Sequence, residues 1–198
     1  MKLLPTVAGC LVAAALSAPS HAVQIVYTAS LAGTNEVPPN ASQGSGNASV
    51  VYDSVAHTLT VSYSFADLGS GLADGHIHCC TGPDSNVGVA VGFTGLPLGA
   101  TSGSDSSEVY DLTSAATFRQ PFIDSFAGGV ADDAEEALVA GLNSGLAYFN
   151  LHSELIPSGE IRGQLAPIPE PRIAAMLLMG LGVLGLASRW RRRGVSAL

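Results

Sequence analysis

The chain has 198 residues, with 8 basic and 16 acidic side chains, a formal net charge of −8 and 47% hydrophobic residues. From Val23 to Ile168 there are 15 carboxylates but only two basic residues, Arg119 and Arg162, a balance of −13. That excludes nucleic acid and anionic lipid as partners of this segment, since phosphate binding needs clustered Lys and Arg, and the segment's length suits one domain rather than two.

Residues 1–22 read as a secretory signal: Met1-Lys2, an apolar run from Leu3 to Leu16, and Ser20-His21-Ala22, a small-x-small pattern suited to cleavage after Ala22. The mature domain is then expected over 23–168. Its clearest pattern has period two. In Thr58–Phe65 the residues Leu59, Val61, Tyr63 and Phe65 face one way and hydroxyls the other, which predicts a half-buried antiparallel strand. Further short strands are predicted at Ile25–Leu31, Ala48–Tyr52, Val87–Phe93, Glu108–Leu112, Gly145–His152 and Gly159–Leu165, separated by Gly, Pro, Asn and Asp turns. Glu36-Val37-Pro38-Pro39 reads as a rigid strand exit, because its two prolines hold the backbone extended.

One helix interrupts the strands. Asp132 is placed to cap it with Glu135 returning the bond, Ala134, Leu138 and Leu142 share a face, and Asn143-Ser144-Gly145 stops it. The carboxylates of its first turn suit the helix dipole and are read as helix design rather than catalysis. The predicted fold class is all-β, an antiparallel β-sandwich or barrel with one short helix. Arg162 alternates with apolar neighbours between Glu160 and Gln164 and is expected to form an ion pair with Glu36 or Glu160.

Gly75-His76-Ile77-His78-Cys79-Cys80 concentrates four metal-ligand side chains in a chain with 5 His and 3 Cys. Residues i and i+2 of a strand share a face, so His76 and His78 can converge on one ion. On the late strand Tyr148, Asn150 and His152 share a face, and His152 supplies a third nitrogen if the two strands are neighbours. Such a site suits copper or zinc, with Cys79 and Cys80 as further candidate ligands. The same histidines could equally hydrogen-bond loop carbonyls on a polar sheet face. In an oxidising compartment the adjacent cysteines have three fates: a vicinal disulfide, bonds to another molecule, or metal ligation. No Gly-x-Ser-x-Gly elbow, phosphate loop or dinucleotide fingerprint is present, and no catalytic residue is assigned.

The C-terminal stretch runs Pro169-Glu170-Pro171, an uncharged segment Ile173–Ser188, then Arg189, Trp190, Arg191, Arg192 and Arg193. At about 1.5 Å per residue the uncharged segment spans about 24 Å, against a hydrocarbon core of about 30 Å; arginine snorkelling and Trp190 make up the difference. A transmembrane helix is expected at 173–188, with the arginines cytoplasmic and the domain outside.

The three-part pattern of residues 169–193 resembles the PEP-CTERM sorting signal of bacterial exported proteins. That resemblance implies recognition by an exosortase, an inner-membrane-anchored precursor, removal of the tail, and delivery to the surface or matrix of a Gram-negative bacterium that makes exopolysaccharide. Leu31-Ala32-Gly33-Thr34-Asn35-Glu36-Val37-Pro38-Pro39, Gly75-His76-Ile77-His78, and Tyr148–His152 followed by Gly159–Leu165 together resemble a CHRD domain, the module named after chordin. The family resemblance implies an immunoglobulin-like β-barrel with limited similarity to copper-zinc superoxide dismutase and carries no settled activity. A dismutase site does not follow, because His57 is the only other histidine left after signal cleavage. The expected function is a non-enzymatic surface or matrix module that binds or adheres, with exopolysaccharide or other matrix components as partners. The alternative is a copper- or zinc-binding or redox protein using the His-x-His-Cys-Cys motif.

Overall fold

The computed structural model describes residues 24–168. The expected leader, the sorting motif and the expected helix at 173–188 lie outside the described residues, among which no helix is long and apolar enough to cross a membrane. The chain runs β1 (Gln24–Ala32), a 3₁₀ turn (Gly33–Asn35), β2 (Ser45–Asp53), β3 (Thr58–Ala66), β4 (Leu72–Cys79), β5 (Val89–Gly92) and β6 (Gly103–Asp111). Helices α1 (Gln120–Phe126) and α2 (Ala134–Asn143) follow, then β7 (Ala147–Ser153), β8 (Ile161–Gln164) and the two-residue β9 (Ala166–Pro167).

All strands join one antiparallel sheet in the order β5-β4-β7-β8-β1-β2-β3-β6, with β9 paired to β1. The all-β, sandwich-like expectation holds at the level of fold class, and the sheet takes an open form. Among the described residues the strands form a single sheet that is curled but open, a half-barrel whose ends β5 and β6 are not bonded to each other. The curl brings Tyr63 of β3 against Phe149 of β7, with ring centroids 5.5 Å apart, and Phe93 lies 4.9 Å from Phe149. Burying side chains of this size contributes about 1.5–3 kcal/mol each, so this aromatic cluster is what makes curling favourable.

The period-two reading of Thr58–Phe65 matches β3, where Leu59, Val61, Tyr63 and Phe65 are all buried. Ala134, Leu138 and Leu142 of α2 are fully buried, on the face expected for them. Two details differ from the sequence reading. A second helix, α1, buries Phe122 and Ile123; it begins with a proline in its first turn but spans only seven residues, too few for a helical period to be legible. The capping box is also absent. The N-cap of α2 is Asp133, with no side-chain bond, and Glu135 instead accepts from the Tyr52 hydroxyl at 2.7 Å and pairs with His57 at 2.9 Å. Glu135 thus ties the helix to β2 and the turn after it, and Glu136 is the first-turn carboxylate left to the helix dipole.

Candidate functional site

Strand alternation gives β4, β7 and β8 one apolar and one polar face. Ile77, Cys79, Phe149, Leu151, Ile161 and Leu165 point into the core. Asp74, His76 and His78 on β4, Tyr148, Asn150 and His152 on β7, and Arg162 and Gln164 on β8 occupy the other face. The register sets His152 opposite Asp74, Asn150 between His76 and Arg162, and Tyr148 between His78 and Gln164. β4 and β7 are therefore neighbours, and His152 joins His76 and His78.

This polar face is not open to solvent. His76, His78 and His152 are only 9%, 8% and 8% exposed, because loops roof the strands. Asn86 donates to the Val37 carbonyl at 2.7 Å, bridging two of those loops, and Asn40 donates to the Glu160 carbonyl at 3.0 Å. Arg162 holds the roof down. Its Nε donates to the Asn35 carbonyl at 2.7 Å, one terminal nitrogen donates to Asn86 Oδ1 at 2.8 Å, and the other donates to the Pro83 carbonyl. Its guanidinium also lies 4.4 Å from the Tyr148 ring centroid. Among the described residues no carboxylate lies within ion-pair distance of Arg162, which corrects the expected pair with Glu36 or Glu160: loop carbonyls reach the fork first, and their bonds satisfy it.

Each histidine is anchored through one ring nitrogen. His78 Nδ1 lies 2.8 Å from the Val87 carbonyl, and His152 Nδ1 lies 2.9 Å from the Pro157 carbonyl. A carbonyl can only accept, so both rings carry their proton on Nδ1 and present an Nε2 lone pair. His76 Nε2 lies 3.0 Å from Asp74 Oδ2, and its Nδ1 lies 3.1 Å from His152 Nε2. The three candidate ligand atoms all fall within 4.8 Å of one another. Burial holds His78 well below the ordinary histidine range, at about 4, and burial also lowers His76 against the pull of Asp74.

Cys79 and Cys80 go elsewhere. They are bonded to each other in a vicinal disulfide across a cis peptide, with Cα atoms 3.0 Å apart. Both sulfurs pack on the core side of the sheet against Gly141 of α2, so they do not join the histidines as ligands. The sequence reading placed Glu36 in a rigid strand exit and as an ion-pair partner of Arg162, but it is a buried acid at the edge of this face. It is 5% exposed, and burial pushes its carboxyl up to about 7 although Arg162 and Asn150 pull it down. Its signal in sequence was a lone charge directly before Val37-Pro38-Pro39. The anchoring carbonyls of Val87 and Pro157 have no sequence signal at all.

Residues 27–165 match the CHRD domain family. The chain belongs to that family. The match takes in the polar face of the CHRD domain from Glu36 to Gln164. Residues 167–193 match the PEP-CTERM protein-sorting motif, which contains Pro169, Glu170, Pro171, Arg189, Arg191, Arg192 and Arg193. That motif marks an exported protein processed at the membrane in Gram-negative bacteria and implies recognition by an exosortase. Neither the curated proteins nor the solved structures hold a significant match to the chain.

Proposed function

We propose that this CHRD domain is a binding module, without catalysis of its own, that the sorting motif directs to the cell surface or extracellular matrix. The observation that carries the reading is that, among the described residues, three buried polar atoms at this face lack hydrogen-bond partners: His78 Nε2, Asn150 Oδ1 and Glu36 Oε1. Leaving such an atom unpaired in a folded core costs about 1–3 kcal/mol, and a face that tolerates several is suited to binding rather than to packing. Glu36 Oε1 and Asn150 Oδ1 each lie 3.0 Å from where a side chain on Gly159 would begin, so they share one small space.

Beside them a cleft of about 490 Å³ opens between residues 34–39 and 83–84, lined by Asn35, Glu36, Asp84, Arg162 and Gln164. Carboxylate and amide groups of this kind pair with the hydroxyls of a sugar polymer, and exopolysaccharide is the partner class. The test is retention of the full exported chain on purified matrix polysaccharide. Saturable binding is expected, weakened about tenfold by Glu36→Gln with Asp84→Asn, a loss of about 1.4 kcal/mol. Robust polymer turnover that His76→Ala abolishes with the fold intact would overturn the non-catalytic reading.

A further inference from the structure

We infer that His76 Nδ1, His78 Nε2 and His152 Nε2 bind one divalent transition-metal ion, zinc or copper. The inference deepens the binding reading by naming a ligand for the polar face. The far nitrogen of every ring is held by an acceptor: Asp74 Oδ2 for His76, the Val87 carbonyl for His78 and the Pro157 carbonyl for His152. An outer acceptor of this kind fixes the tautomer and ring orientation of a metal-ligating histidine. Here the three acceptors aim three lone pairs at one another.

Among the described residues those lone pairs have no better partner. With Nε2–H donated to Asp74, the Nδ1 lone pair of His76 faces the Nε2 lone pair of His152 at 3.1 Å. His78 Nε2 is buried and has no partner among the described residues. A cation among the three would satisfy all of them. Two nitrogens 3.1 Å apart, each about 2.0–2.1 Å from one ion, subtend about 98° at it, a normal ligand angle. The trio spans up to 4.8 Å, against about 3.3 Å around a tetrahedral ion and about 4.1 Å across a square-planar one, so ring shifts of about 1 Å close the site.

The donor set also selects the ion. All three donors are imidazole nitrogens, which suit zinc and copper, whereas calcium and magnesium demand oxygen. The sulfurs of Cys79 and Cys80 are bonded to each other on the opposite face and contribute nothing. Three protein donors leave at least one coordination position for an outside group.

The experiment uses the full chain, exported through its own leader and purified in mild detergent without a polyhistidine tag. After chelator stripping and reloading with zinc or copper(II), metal-to-protein ratio is read by plasma mass spectrometry, melting temperature by circular dichroism, and copper(II) by electron paramagnetic resonance. About one ion per chain is expected, with a rise in melting temperature on loading and nitrogen couplings in the copper spectrum. His152→Ala should abolish all three signals. Asp74→Asn, at a half-exposed side chain that can be changed without unfolding the core, should weaken affinity about 10- to 100-fold. A folded parent that takes up neither ion, or variants that keep the parent's full content, would overturn the inference. A chain that stays metal-free yet binds polysaccharide sinks the metal site alone; one that loads metal but ignores polysaccharide sinks the polymer reading alone.

Discussion

Replacing Glu36 with Gln should make the unfolding free energy of the domain depend differently on pH, by an amount that follows from where the side chain sits. Glu36 is 5% exposed, and burial raises its carboxyl from 4.5 to about 7. Between those values the unfolded chain has released a proton that the folded chain still holds. Stability therefore falls as pH rises through the window and is level on either side of it. A gap of roughly 2.5 pH units at about 1.4 kcal/mol each makes about 3 kcal/mol. The parent's own curve hides this slope. His78, lowered to about 4, and His76, lowered in the same direction, make stability rise with pH below the ordinary histidine range. Subtracting the Glu36→Gln curve from the parent's cancels the histidines and isolates the acid. Urea unfolding followed by circular dichroism at pH steps from 4 to 8 is the assay, and the parent-minus-variant difference should drop by about 3 kcal/mol between pH 4.5 and 7. A difference that stays constant or grows with pH would refute the buried-acid reasoning.

Two substitutions probe how the site is held. Gly141→Ala in α2 puts a methyl group into both sulfurs of the Cys79–Cys80 pair. The helix gains about 1 kcal/mol of intrinsic propensity but overpacking costs about 1–3, so a net loss in urea midpoint is expected; a stabilised variant would mean the helix can shift off the disulfide. Arg162→Lys removes the planar fork that ties Asn35, Pro83 and Asn86 to the sheet. A loss of about 3 kcal/mol is expected, with faster amide exchange at residues 84–87, and an unchanged exchange pattern would show that the roof does not depend on the guanidinium.

Much of the local structure was legible because a strand's side chains alternate wherever it lies. Alternation placed Leu59, Val61, Tyr63 and Phe65 on one face of β3, and it paired His76 with His78 and grouped Tyr148, Asn150 and His152. The family and the sorting motif were legible for a different reason: ordered short motifs such as Gly159-Glu160-Ile161-Arg162-Gly163 and Pro169-Glu170-Pro171 survive as text. Alternation is blind to strand order, so it could not separate a sandwich from one curled sheet, nor say that β4 and β7 pair across some seventy residues of chain. It is equally blind to what covers a face. Hydroxyls and imidazoles opposite an apolar stripe predict exposure, yet here the loops around Asn35, Pro83 and Pro157 bury them. Which carbonyl anchors His78, and which side of the sheet receives the sulfurs of Cys79 and Cys80, depends on loop paths set by long-range packing. The sequence by itself therefore determined which residues share a face. Only the tertiary structure decided which faces meet and which are closed off, because those contacts form between segments far apart in the chain.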